Sequence, residues 1–508
     1  MKYAIELNNI TKKFGQFTAN DSISFKVEEG EIFAIAGENG AGKTTLMNVV
    51  YGLYTPTSGD MSIHGKPVSF SSSRDSIDAG IGMVHQHFML VPKLTVVENI
   101  IAGQETGSFF RLDRTLARKQ IVELSERYGL KIDPDLKVSE LTVAMQQRVE
   151  ILKVLYRNAS ILIFDEPTAV LTKQEIDEFC EILLKLKAQG KTILFISHKL
   201  NEVLQVSDRV MVIRLGKVIG TVGTNETTAE EITNMMVGRS IQLGGGARKK
   251  AESHEEMIRI SDVSYVNAKG IRKVDSLSLR VSTGEIVGIA GVDGNGQEEL
   301  AELICGVLKP GSGSVAIDGR PVEKLSIKDI KNEGLAYIPE DRHKDGLVLD
   351  FSIAENIILG QHDEEPFSRN SFILNDDAIK GTAEKLREDY DIRCGGIESP
   401  VSSLSGGNQQ KIVIAREISR NPKAVLAVQP TRGLDVGAIE YIHKVLVDQR
   451  NQGKAVLLFS LELDEILALA DRIAVMYKGK IVGIVDAHST DKEELGLMML
   501  GRKQGKGV

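Results

Sequence analysis

The sequence predicts two tandem α/β domains, each built on a mainly parallel sheet. Three observations predict this: the chain repeats itself, short apolar runs alternate with amphipathic stretches, and a glycine-rich loop joins one such run to a helix. The repeat is direct. SISF at 22–25 returns as SLSL at 276–279, and EEGEIFAIAGENGAG at 28–42 returns as STGEIVGIAGVDGNG at 282–296, a shift of 254. Further along, VENI at 97–100 matches AENI at 354–357, a shift of 257. DEPTAVLT at 165–172 matches VQPTRGLD at 428–435, and MMVGR at 235–239 matches MMLGR at 498–502, both a shift of 263. The growing shift places extra residues in loops of the second copy.

Within each copy EIFAIAG, ILIFDEP and KTILFISH have the β-branched, apolar character of buried strands. QQRVEILKVLYRN and KQEIDEFCEILLKLKAQG carry apolar residues at helical spacing. The expected domains are 1–240 and 257–502. They are joined by a glycine-rich, charged linker at 241–256, IQLGGGARKKAESHEE, and followed by a frayed tail at 503–508.

Composition narrows the function classes. The chain has 508 residues, 42% hydrophobic and 26% charged, with 62 Lys+Arg against 70 Asp+Glu and a net charge of −8. A phosphate-backbone binder is usually basic, so no nucleic-acid partner is expected. Cys180, Cys305 and Cys394 are far apart and read as reduced thiols, not as a zinc or disulfide framework. The N-terminus, MKYAIELNNITKKFG, lacks an apolar signal region. The longest apolar runs fall far short of the roughly 20 residues that span a bilayer. A membrane role is therefore expected only through partners.

Gly37-Glu-Asn-Gly-Ala-Gly42-Lys43-Thr44-Thr45 is a G-x-x-x-x-G-K-[ST] phosphate loop between a strand and a helix. Backbone N–H groups of Gly37, Asn39, Gly40 and Gly42 can close around phosphates at a helix N-terminus. Lys43 reaches the terminal phosphates, and the Thr44 hydroxyl can ligate Mg2+, with Thr45 beside it. An apolar strand ends in Asp165-Glu166, suited to a Mg2+ shell and to a general base. His198 follows a third strand, and Gln86 stands in GMVHQHF.

The order phosphate loop, Gln86, an LSGGQ-like segment, Asp165-Glu166 and His198 resembles the ATP-binding-cassette (ABC) ATPases, over both halves of the chain. The second copy carries Leu404-Ser405-Gly406-Gly407-Asn408-Gln409, close to the family signature. Two fused cassettes with PEDR at 339–342 are similar to the ATPase subunits of simple-sugar and nucleoside importers. HQHFMLVPKLTVVENI and AVQPTRGLDVGAIE look most like the nucleoside branch.

The resemblance implies two P-loop domains, each with a smaller antiparallel β region and a helical subdomain. It implies ATP and Mg2+ as cofactors, with Thr44, Gln86 and Asp165 at the metal. Glu166, His198 and Gln86 would be catalytic, and Phe14 would stack on adenine. The implied partners are two integral-membrane permeases and, indirectly, an extracytoplasmic solute-binding protein, with the chain at the cytoplasmic face of the membrane. The apolar run 88–92, beginning at Phe88, would meet a permease. A tandem-cassette ATPase acting on the ribosome is the rival reading. The short linker and the unequal sites speak against it.

In this family each ATP lies between one cassette's phosphate loop and the other's signature. The departures from the pattern all fall in one such site. The second copy has Gln297 and Glu298 for Lys-Thr, Glu340 for Gln86, Val428-Gln429 for Asp165-Glu166 and Leu461 for His198. The first copy's signature has Thr142 and Ala144 for Ser405 and Gly407. The complementary site keeps Lys43, Thr44, Gln86, Asp165, Glu166 and His198 with Ser405, Gly406 and Gly407. One competent and one degenerate site are expected.

Overall fold

The computed structural model describes residues 2–85, 88–104, 107–108, 111–168, 171, 173–197, 199–238, 255–371 and 373–502. The chain divides into two compact units, Met1–Ile241 and Gln242–Val508. The expected linker lies outside the described residues up to 254, and its last residue, Glu256, already begins a strand. The tail at 503–508 also lies outside them.

In the first unit a six-stranded sheet runs in the order Lys217–Gly223, Arg209–Arg214, Ile32–Ala36, Thr192–Ile196, Ile161–Asp165, Ile81–Val84. All pairs are parallel except the hairpin of the first two. The inner strands are continuous apolar runs because helices cover both faces of a parallel sheet. Ile32–Ala36, Ile161–Asp165 and Thr192–Ile196 are buried throughout. A separate antiparallel sheet pairs Phe17–Glu28, Tyr3–Phe14, Ser58–Ile63 and Lys66–Val68. Phe33 and Phe25 stack between the two sheets with ring centroids 5.4 Å apart.

Helices Val96–Ile101, Arg114–Tyr128 and Val143–Tyr156 pack on one another as a helical lobe. Each starts at a side-chain cap: Thr95, Asp113 and Thr142.

The second unit repeats this plan. Its six-stranded order is Leu335–Ile338, Ala424–Val428, Ala455–Phe459, Ile286–Gly291, Arg472–Tyr477, Lys480–Asp486, beside an antiparallel sheet led by Glu256–Val266 and Arg272–Ser282. The helical lobe is Ile353–Ile357, Asp376–Asp389 and Gly406–Ile418. Each unit is thus α/β, with an antiparallel β region and a helical subdomain.

Strand order decides what meets. Ile32–Ala36, Thr192–Ile196, Ile161–Asp165 and Ile81–Val84 are successive neighbours, so their carboxyl ends line up. Ligands of open α/β sheets bind along that edge. The phosphate loop, Ser197, Asp165-Glu166 and the segment after Val84 therefore share one edge.

Candidate functional site

The phosphate loop leaves the buried strand Ile32–Ala36 and enters the helix Lys43–Val50, whose N-cap is Gly42. Gly42 has φ +99°, and a Cβ there would lie 2.4 Å from the Ala19 carbonyl oxygen, so only glycine fits. Lys43 is buried, and its Nζ donates to the carbonyls of Gly37 (2.7 Å) and Glu38 (2.9 Å). The ammonium is thereby held across the mouth of its own loop. Asn39 and Thr45 are half-buried; Gly40 and Thr44 are exposed.

The Thr44 hydroxyl donates to Asp165 Oδ1 at 3.4 Å, joining the loop to the end of the neighbouring acidic strand. Asp165 is buried. Its carboxyl is pushed up to about 6, first by burial and then by the adjacent Glu166 charge, against the Thr44 hydrogen bond and the Lys43 charge. An ionised carboxylate held this unfavourably, beside a hydroxyl and below a phosphate-shaped loop, fits a divalent cation and a nucleotide triphosphate. Thr44 and Asp165 are the described residues that would hold the metal. Gln86, the third expected ligand, lies outside the described residues, as does His198.

Burial carries a stability consequence. The rise from 3.8 to about 6 amounts to about 3 kcal/mol against the ionised native state. Because the folded value is raised, Asp165 contributes stability below 3.8 that is lost as pH rises through about 6. Asp165→Asn is therefore expected to raise the melting temperature of nucleotide-free protein at neutral pH by several degrees. The gain should vanish as pH falls toward 4. Thermal scans across that range check it; a fall in melting temperature at neutral pH would show that ionisation of Asp165 is favourable.

Glu166 is half-buried and has φ +47°, with its N–H bonded to the Ile196 carbonyl (3.0 Å). A left-handed, non-glycine residue at a strand end costs about 1 kcal/mol and turns the side chain out of the sheet's alternation. Gln429 has the same φ of +47° and the same bond, to the Phe459 carbonyl (2.8 Å). The second unit has kept the backbone of this corner and lost its carboxylates.

Elsewhere in the second unit the same pattern holds. Gly296 caps the helix Gln297–Ile304 at φ +104°, and Gln297 Nε2 donates to the Val292 carbonyl (3.1 Å) as Lys43 does to that of Glu38. The first helical turn carries Glu298 and Glu299, and Glu299 pairs with Lys273 at 3.1 Å. The helix end that would attract phosphate already faces carboxylates of its own.

The two signature segments also differ. Ser405 is the N-cap of the helix Gly406–Ile418, yet its side chain does not cap it; its Oγ accepts from Asn408 Nδ2 (3.0 Å). Thr142, in the first unit, accepts from the Met145 backbone N–H (3.3 Å) and closes its own helix end. The helix that begins at Gly406 therefore has no side-chain cap, and Gly407 in its first turn is buried.

Phe14 is 45% exposed at the end of its strand, edge-on to Tyr54 at 5.4 Å and under Lys12 Nζ at 5.1 Å, so it is no core residue.

Sequence reasoning missed the residues that hold the loop after the edge strand. Buried Glu150 accepts from the Met89 N–H (2.7 Å), Lys153 Nζ donates to the Met89 carbonyl (3.0 Å), and buried Asn99 accepts from the Val91 N–H (2.7 Å). Their sequence signal was a carboxylate and an asparagine at buried helical positions. This loop leaves Met89 and Val91 exposed, whereas Phe88 is half-buried.

Among the described residues no helix is long and apolar enough to cross a membrane. The family model for ABC transporter matches residues 20–169 and 274–432. The chain is 49% identical over 497 residues to the nucleoside import ATP-binding protein NupA of Lactococcus lactis subsp. cremoris, covering 98% of each. It is 49% identical over 504 residues to the guanosine import ATP-binding protein NupO of Bacillus subtilis, covering 99% of this chain and 98% of that one. It is 42% identical to the glucose import ATP-binding protein TsgD13 of Haloferax volcanii, covering 98% and 96%. A solved complex of an archaeal ribosomal stalk protein with the archaeal ribosome recycling factor aABCE1 aligns over 97% of this chain and 92% of that one, with a TM-score of 0.61 and 19% identity, a likeness of fold alone. The two similarly built units, the phosphate loop with its buried lysine and the full-length relatives lead to one conclusion: the chain belongs to the ABC transporter family and is an ATPase built of two cassettes.

Proposed function

We propose that this ATPase is the energy-coupling subunit of an importer for nucleosides or simple sugars, with nucleosides first because two 49%-identical relatives are named for nucleoside and guanosine import. It works at the cytoplasmic face of the membrane with two permease subunits and, indirectly, a solute-binding protein. One ATP site is competent: Lys43, Thr44, Asp165 and Glu166 from the first cassette, completed by Ser405, Gly406 and Gly407 from the second. The other, built on Gln297, Glu298, Val428 and Gln429, is degenerate.

The observation that carries this reading is the shared backbone with divergent chemistry. Glu166 and Gln429 occupy the same left-handed corner, and Gly42 and Gly296 the same cap. Loss of fold is therefore not what separates the halves; loss of charged groups is.

When bound, Mg2+-ATP supplies the phosphoanhydride that is broken. Glu166 at its strand end would accept the proton of the attacking water, and Gln86 and His198, outside the described residues, are the further polar groups expected to act with it. Lys43 would supply positive charge to the phosphates from within the loop, and Thr44 with Asp165 would hold the cation. These groups act mainly by position and electrostatics.

Permease contact is assigned to the exposed Met89 and Val91, whose backbone is fixed by Glu150, Lys153 and Asn99 while their side chains stay outside. Methionine adapts to a partner surface. The test is uptake of labelled guanosine, ribose and glucose by cells lacking the chain, complemented with variants. Wild type should restore nucleoside uptake and Lys43→Ala should not. Met89→Asp should lower uptake by about tenfold, the loss of one well-packed contact, with basal ATP hydrolysis intact. Restoration of none of the three solutes by wild type would overturn the importer reading.

A further inference from the structure

The second unit contains a buried polar link that the reaction described above does not use. His443, on the helix Val436–Asn451, is 3% exposed, and its Nε2 lies 3.1 Å from Glu465 Oε1. The tautomer with hydrogen on Nε2 is the one that donates to this carboxylate. Glu465 is 6% exposed, and the same Oε1 accepts from the Thr431 hydroxyl at 2.8 Å. Its other oxygen, Oε2, is buried without a hydrogen-bond partner. So two side chains converge on one carboxylate oxygen of the helix Leu463–Leu469: His443 from the helix Val436–Asn451 and Thr431 from the start of the loop at 431–435.

The far end of that loop is tied to the same helix. Asp435 is its N-cap, accepting from the Ala438 N–H at 2.9 Å. A Cβ on Gly407 would lie 3.1 Å from the Ala438 Cβ and 3.7 Å from Asp435 Oδ2. The loop at 431–435 is thus fixed to one helix at both ends, through Asp435 directly and through Thr431–Glu465–His443, and its second end abuts the signature glycine.

The first unit offers an internal comparison. By the shift of 263, Thr168, Cys180, Ser197 and Glu202 stand at the places of Thr431, His443, Ser460 and Glu465. Glu202 accepts from Thr168 (2.5 Å) and from Ser197 (3.2 Å), and buried Cys180 replaces the histidine. The threonine–carboxylate bond is common to both units. The histidine belongs only to the unit whose signature is intact.

We propose that His443 is a positioning residue: by holding Glu465 it fixes Thr431, and with it the 431–435 loop against Gly407, in the geometry that completes the competent ATP site. This inference rests on the composite-site reading above. It assigns no contact with ATP to His443. Its consequence is a defect in turnover without a defect in nucleotide binding, because the phosphate loop that binds ATP is on the other unit.

The test uses the full chain and three variants. His443→Cys installs the residue the first unit already accommodates at this place. Thr431→Val breaks the other end of the link, and His443→Gln keeps a side-chain donor. Steady-state ATP hydrolysis gives kcat and KM, and thermal scans report folding. His443→Cys and Thr431→Val are each expected to lower kcat by about tenfold, the worth of one hydrogen bond to a charged group, with KM for ATP unchanged. The double variant should be no slower than the slower single, since both cut one link. His443→Gln should retain most of kcat.

Unchanged kcat in His443→Cys, a rise in KM that accounts for the loss, multiplicative losses in the double variant, or no recovery with Gln would each overturn the proposal. If His443→Cys is unfolded at the assay temperature, the comparison of His443→Gln with Thr431→Val decides by the same criteria. Failure of the underlying reading shows separately, as full activity in Gly407→Asp.

Discussion

Replacing Gly407 with Asp is expected to reduce ATP hydrolysis by about 10³-fold while leaving every residue of the first unit untouched. The figure follows from charge. In the composite site proposed above, a carboxylate about 4 Å from a phosphate oxygen, at an effective dielectric near 20, would be repelled by about 4 kcal/mol, close to three powers of ten. Part of any loss would be local, because a Cβ at Gly407 already meets the Ala438 Cβ at 3.1 Å and stands 3.7 Å from Asp435 Oδ2. Gly407→Ala separates the two effects. It adds the crowding without the charge and should cost about tenfold or less, as expected of a small overpacking term. Ala144→Asp, at the aligned place in the first unit, should spare most of the activity. Steady-state ATPase of the three variants checks this; full activity in Gly407→Asp means that the second cassette does not complete the site on the first.

Glu166→Gln is expected to abolish turnover, a fall of about 10²–10⁴ for loss of a general base, while ATP binding persists. Folding is not in question, because Gln429 shows that glutamine adopts φ +47° at the same corner of the same fold. Gln429→Asn is the mirror control. Asparagine tolerates the left-handed region, and the residue replaced has no carboxylate to lose. Its one described side-chain bond, accepting from the Leu461 N–H at 3.3 Å, is within the second unit. Turnover should stay within about twofold of wild type, as for a change that removes no catalytic group. Measured kcat and nucleotide-binding isotherms for both variants check the asymmetry. Equal losses would mean that both sites hydrolyse ATP.

The acid limb of activity has a named source as well. Asp165, pushed up to about 6 by burial and by Glu166, loses its charge as pH falls through that value. Proton and cation compete for that carboxylate, so a bound cation would lower this value, and the fall of hydrolysis on acidification should shift to lower pH as Mg2+ is raised; kcat against pH at two Mg2+ concentrations checks it.

Much of this protein was determined by the sequence alone. Local composition sets the strands Ile32–Ala36 and Thr192–Ile196 and the helices Val143–Tyr156 and Lys173–Ala188, because their apolar spacing admits one period. Gly37 to Thr45 was legible because phosphate binding needs small residues, a lysine and a hydroxyl at adjacent positions. The unequal halves were legible because the chain carries its own comparison, residue against residue, at fixed shifts.

What tertiary structure decided concerns partners far apart in sequence. Sheet order, with Thr192–Ile196 between Ile32–Ala36 and Ile161–Asp165, brings Thr44 within 3.4 Å of Asp165. Backbone dihedrals put Glu166 and Gln429 in a left-handed corner that no propensity of Glu or Gln favours. Burial turned Glu150 and Asn99 from helix residues into anchors for the exposed Met89 and Val91. Packing placed His443, Glu465 and Thr431 on one link. A hydrogen bond between residues 34 or 121 positions apart has no local signature, since its energy depends on chain folding that brings the ends together.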